Sequence, residues 1–158
     1  MATEEEKKRN LARINAMIIY GLEKGLWNLL GESALALSTT VGEGMLEKME
    51  NSMGLEIEGE DPQDILTEIG RIFVDEIGIA TRFDITREAE DDVKLHVENC
   101  VLLKTEKDLV ADGITPFMCP YLNIAAAAMR RRLGVKTRVA GIQVDQDNRR
   151  CDLHFEML

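Results

Sequence analysis

The chain has 158 residues, enough for one ordinary hydrophobic core and too few for two. It is 45% hydrophobic and 30% charged, which argues against intrinsic disorder; aromatics are only 4%, so the apolar mass rests on Leu, Ile, Val, Ala and 8 Met. A formal net charge of −10 sets the surface against phosphate backbones and anionic bilayers, and no window is apolar enough to cross one, so neither nucleic acid nor a membrane span is expected.

Leu11, Ile14 and Ile18 recur at helical spacing and predict an amphipathic helix from about Glu4 to Tyr20. Gly21 and Gly25 separate it from a second helical stretch reaching about Met49, with Leu26, Leu30, Leu37, Val41 and Met45 as its buried stripe. In that stretch Ala34, Ser38 and Gly42 stand four residues apart, a row small enough to let another helix, or a ligand, approach the backbone. Gly54 to Glu60 reads as a loop. Asp61-Pro62 then reads as an N-cap with proline at the first helical position, and the helix carries Leu66, Ile69, Phe73 and Ile77 up to Gly78.

Beyond Gly78 the apolar period changes to two. Phe83 and Ile85, then Val93, Leu95 and Val97, predict two strands joined by the acidic turn Glu88 to Asp92. Lys104 to Thr115 reads as a polar connection. Cys119-Pro120 opens a helix through the alanine run Ala125 to Ala128 and Gly134 caps it. The basic cluster Arg130, Arg131, Arg132, Lys136 and Arg138 falls at the C-terminal end of that helix, where cations suit its dipole. Val135 to Val144 predicts a strand, Asp145 to Asn148 a turn, and Cys151, Leu153, Phe155 and Met157 the apolar face of a last strand. The sum is an α+β fold of one domain over residues 1–158, helices packed on an antiparallel sheet in the order α-α-α-β-β-α-β-β.

The sequence contains no phosphate-binding glycine loop, paired CxxC, HExxH or GxSxG. Its 3 cysteines are odd in number and widely spaced, which does not suit a secreted disulfide framework, and the N-terminus is not that of a signal peptide; a cytoplasmic location is expected. Cys119, at a helix N-terminus, sits where the dipole and free amides favour thiolate, the form that binds metal or attacks carbon; the alternative is a buried small hydrophobe. His96, Glu98 and Cys100 share strand parity. If their face met the start of the Cys119 helix, a Cys-Cys-His or Cys-Cys-carboxylate zinc site would become possible. The alternative is a solvated polar face. Cys151 shares parity with Leu153 and Phe155, which makes core packing its default role and a metal or ligand contact the weaker alternative.

Cys100 closing a strand, Cys119-Pro120 opening a helix and Cys151-x-Leu-x-Phe155 on the last strand resemble the 4-vinyl-reductase-type domains, also described as predicted hydrocarbon-binding domains. These share a fold with haem-based nitric-oxide sensors and with components of a Golgi tethering complex. The resemblance runs from about Ala34 to Leu158 in layout and from Asn99 onward in motif. It implies a pocket between helices and sheet for a small hydrophobic molecule, a homodimer, and Cys100 and Cys119 as metal or ligand contacts. No histidine stands in the helical context a haem ligand would need. Three functions are compatible with this reading. The first is a non-enzymatic ligand-binding or sensor domain. The others are a small hydrolase using Cys119 as nucleophile or zinc ligand, and an interaction or tethering module.

Overall fold

The computed structural model describes residues 1–158. Helix α1 (Glu4–Leu30) is started by a capping box, in which the Thr3 hydroxyl accepts from the Glu6 amide and the Glu6 carboxylate accepts from the Thr3 amide. A 3₁₀ segment, Gly31–Ala36, leads into α2 (Leu37–Met53). Then come α3 (Pro62–Arg71), a π-helical turn at Ile72–Glu76, β1 (Arg82–Arg87), β2 (Asp92–Glu98), α4 (Leu103–Ala111), α5 (Pro120–Leu133), β3 (Thr137–Asp145) and β4 (Arg150–Met157). The α+β class and the progression from helices to sheet are those expected.

Three local readings change. Gly21 and Gly25 do not end the first helix. Each lies in open space inside α1, and a glycine penalty of about 1 kcal/mol is too small to break a well-capped helix. The chain turns only at Gly31, whose φ of 57° suits glycine. Leu26 and Leu30 therefore belong to α1, where Leu30 is exposed, and the side of α2 that is buried carries Ser38, Gly42, Leu46 and Met49. Lys104 to Thr115 is not simply a connection, since it contains α4. Its inward residues are Leu103, Thr105, Glu106 and Leu109, and a carboxylate in the middle of so short an apolar stripe masks the helical period.

The four strands form one antiparallel sheet in the order β1–β2–β4–β3. Val93, Leu95 and Val97 of β2 stand opposite Phe155, Leu153 and Cys151 of β4, all on the buried face; Lys94, His96, Asp152 and His154 point the other way. In β3 a bulge between Val139 and Gly141 shifts the register by one. That shift puts Val139, Ile142 and Val144 opposite Phe155, Leu153 and Cys151, although the spacing from Val139 to Ile142 is not even.

Helix α5 is the centre of the molecule. Pro120 to Met129 are all buried, because the helix has α2 and α3 on its outer side and the sheet beneath it. A helix enclosed on every side must be apolar or small on every side, which the alanine run provides. Its neighbour α2 comes very close through the small row: a Cβ on Gly42 would lie 1.8 Å from the Asn123 carbonyl oxygen and 3.1 Å from the Ala127 Cβ. Ala34 and Ser38 of the same row are buried.

That contact makes Gly42→Ala a strong lesion for so small a change. Because backbone, not a flexible side chain, is in the way, destabilisation of at least about 1–3 kcal/mol is expected, lowering Tm by several degrees. Gly44→Ala, two residues on in open space, is expected to raise Tm slightly. Thermal denaturation of both variants checks the pair.

Candidate functional site: a buried thiol and carboxyl cluster beside an apolar cavity

The three cysteines converge in the core. Cys119 at the N-cap of α5 is 1% exposed, Cys151 on β4 is 1% exposed and Cys100, just after β2, is 7% exposed. All three are free thiols. Between them lies Glu106 of α4, a carboxyl group with 3% exposure. The Cys151 thiol donates to Glu106 Oε2 at 3.1 Å, and Cys119 lies beside the same carboxyl. The Tyr121 hydroxyl lies beside Cys100 yet completes no hydrogen bond, and Glu106 Oε1 is likewise buried without a partner.

Burial decides the protonation of this cluster. It pushes Glu106 up to about 7, against the lowering effect of the Cys151 and Cys119 thiols and with some help from the negative charge of Glu23. Burial, reinforced by Glu106, pushes Cys100 up to about 11 and holds Cys119 and Cys151 well above the ordinary thiol range. The helix-dipole argument for a Cys119 thiolate therefore loses to desolvation and to the neighbouring carboxyl. Burial thus favours neutral thiols around an acid in this cluster.

Glu23 is the second buried carboxylate and the only buried residue of α1. Its Oε1 accepts the amides of Phe117 at 2.7 Å and Met118 at 2.8 Å, and burial raises its pKa against those two bonds. It ties α1 to the segment that leads into the cluster. Each of the two acids interrupts an apolar stripe at helical spacing, Tyr20–Glu23–Trp27 and Leu103–Glu106–Leu109, and that interruption is the signal of them in the sequence.

His96 does not join the cysteines. The strand ends at Glu98, Asn99 adopts a left-handed φ of 54°, and the chain turns Cys100 inward while His96 and Glu98 stay on the outer face. There His96 Nδ1 meets Asp152 Oδ1 at 2.6 Å and its Nε2 meets Thr86 Oγ1 at 2.9 Å, while His154 pairs with Asp92 at 2.6 Å. The hydroxyl–imidazole–carboxylate chain lines a polar depression whose sole apolar lining residue is Ala140. Nothing there would hold the apolar part of a substrate. No three His, Cys, Asp or Glu side chains are grouped to hold a metal ion, so the zinc site conceived from His96, Cys100 and Cys119 is not formed.

Two cavities flank this interior. One, of about 540 Å³, lies between α2, α5 and the β3–β4 side of the sheet; core residues Leu122, Ala126 and Phe155 form its floor, with Leu35 and Val139 beside them. The other, about 780 Å³, is a groove of mixed lining between α1 and α4, where Ala12, Met17 and Val101 stand beside Arg9, Arg13, Lys104 and Asp108. No helix is long and apolar enough to cross a membrane.

Stability should report the buried acid. Glu106 is raised from 4.5 to about 7 on folding, so between those values the folded state holds more protons than the unfolded one. The contribution of Glu106 to stability is then greatest below about pH 4.5 and is lost as the pH rises through about 7. Urea midpoints measured across that window are expected to fall for the wild type relative to Glu106→Gln, which cannot ionise. Parallel profiles would contradict the assignment.

Residues 14–155 match the model of the family described as "Putative rubredoxin C-terminal domain". A "Putative rubredoxin" of Methanothermobacter thermautotrophicus is 28% identical over 123 residues, which make up 78% of this chain and 62% of that protein. The chain thus spans about three fifths of that relative's length. Among solved structures, a trafficking protein particle complex subunit 3 from Naegleria fowleri, covalently bound to palmitic acid, superposes with a TM-score of 0.59 at 11% identity, covering 95% of this chain and 96% of that one. The phenol-responsive sensory domain of the transcription activator PoxR, with phenol, gives 0.52 at 13% identity, covering 89% and 73%. At these identities the fold is what is shared. The expected likeness to Golgi-transport components is found at that level, and the family shown is the rubredoxin C-terminal domain; the resemblance to the 4-vinyl-reductase type is not confirmed.

Proposed function

The chain belongs to the rubredoxin C-terminal domain family, and from that premise we propose that it is one domain that binds a small hydrophobic molecule, as a carrier or sensor without catalysis of its own. The observation that carries this reading is the cavity between α2, α5 and the sheet. Its volume of about 540 Å³ lies in the range of small-molecule sites, and buried core side chains form its floor. The palmitic acid of the Naegleria fowleri subunit and the phenol of the sensory domain support it, as apolar or aromatic molecules on the same fold. The neutral thiols weigh against a cysteine hydrolase, and three unpaired cysteines suit a reducing, cytoplasmic setting.

A second reading concerns assembly. Along α1, Leu11, Ile14, Ile18 and Leu22 form an exposed apolar stripe on a helix tied to the core by one buried side chain. A homodimer or a tethering contact through this stripe follows naturally. Sedimentation is expected to give a dimer for the wild type and a monomer for Ile14→Glu/Ile18→Glu; a wild-type monomer would reject the homodimer.

The neutral dye N-phenylnaphthylamine tests the cavity. One dye per chain is expected to bind the wild type, and Ala126→Trp, which fills the cavity, should weaken binding by about ten-fold or more while the protein stays folded. Equal binding to a folded Ala126→Trp protein would place the ligand elsewhere.

A further inference from the structure

Between Glu4 and Asn15 helix α1 has no buried residue; only Glu6 is partly covered, and the first side chain taken into the core is Glu23. A helical arm of about 12 residues is marginal in water unless something packs on it. The inner side of α1 carries Ala16, Tyr20, Glu23 and Trp27. Opposite it, Leu11, Ile14, Ile18, Leu22, Gly25 and Leu29 follow at steps of three and four residues, all exposed, and make one stripe roughly 27 Å long.

Charge is absent from that stripe. From Asn10 to Leu30 the helix carries only Arg13, which lines the groove towards α4, Glu23, which is buried, and Lys24, which pairs with Asp112. In a chain that is 30% charged, with a net charge of −10, so bare a surface suits a second copy of the chain. Two copies repel elsewhere, and a two-fold contact sets one patch against the same patch, which is easiest where the patch has no charge.

Gly21 and Gly25 give the contact its geometry. Glycine weakens a helix, and in one copy nothing lies within 4 Å of where either Cβ would stand, so the protomer itself makes no use of them. Gly42 shows what a helix glycine does in this fold, since it lets α2 close on the backbone of α5. In α1 the bulk of Leu11 and Ile14 lies before Ile18, and the two glycines lie after it. A parallel pair of such helices would set bulk against bulk and glycine against glycine. An antiparallel pair sets each against the other.

We propose that α1 pairs antiparallel with α1 of a second copy, crossing at Ile18, with Leu11 over the partner's Gly25 and Ile14 beside the partner's Leu22. The arm from Glu4 to Asn15 then packs on the half of the partner's helix that the partner's own body supports. This rests on the homodimer reading above and adds the arrangement of the two helices.

Sedimentation equilibrium and disulfide trapping of the full chain test it. Gly21→Leu/Gly25→Leu places two helix-favouring apolar side chains in open space, so a loose hydrophobic contact would tighten. In the antiparallel crossing they occupy the room that Leu11 needs. The dimer is therefore expected to weaken by about ten-fold or more, while Tm at a concentration where the chain is monomeric does not fall. The native cysteines are buried, so introduced ones report alone. Mild oxidation is expected to join chains of Leu11→Cys/Gly25→Cys and to leave Leu11→Cys unjoined. A dimer tightened by Gly21→Leu/Gly25→Leu, no joining of Leu11→Cys/Gly25→Cys, or joining of Leu11→Cys by itself would overturn the antiparallel arrangement and leave the homodimer standing. A wild type that stays monomeric at every concentration would overturn both.

Discussion

The close approach of α2 to α5 is the constraint on which the rest depends. Gly42 leaves no room for a side chain against the Asn123 carbonyl, and the alanines of α5 leave room for α2 on one side and the sheet on the other. With α5 so enclosed, its N-terminus brings Cys119 to Glu106 and Cys151, and its C-terminus brings Arg130 to the loop that carries Lys136. The cavity lies on the flank of the same contact, with Ser38 and Thr39 contributed by α2 and Leu122 and Ala126 by α5. One helix pair thus sets both the buried cluster and the cavity.

The two buried carboxyl groups show how polar groups are accommodated in this core. Glu23 has its amide donors and fixes α1 to the chain ahead of α5. Glu106 has one thiol donor and one free oxygen, and an acid so placed prefers its neutral form. Around it burial holds the cysteines as thiols, against the thiolate that the helix N-terminus suggests for Cys119.

Much of the architecture was legible because local signals agreed with one another. Asp61-Pro62 caps α3 through the Asp64 amide, Gly134 closes α5 in the left-handed conformation, and the alternating apolar residues of β2 and β4 face the core as their period requires. The glycines of α1 misled because glycine marks a turn only where the backbone needs it, as at Gly31. The site was less legible. Parity placed Cys151 correctly but placed Cys100 with His96, since a single left-handed residue, Asn99, ends the alternation between them. Glu106 was hidden in an apolar stripe, and the cavity depends on how β3 returns along α5, which spacing alone does not encode.

Where a ligand sits decides between the cavity beside α5 and the groove between α1 and α4. A crystal structure with bromine-tipped decanoate locates the end of the chain by anomalous scattering, independently of any affinity. One bromine per chain is expected among Leu122, Ala126 and Phe155. Bromine in the groove between α1 and α4, with the cavity beside α5 holding only solvent, would contradict it.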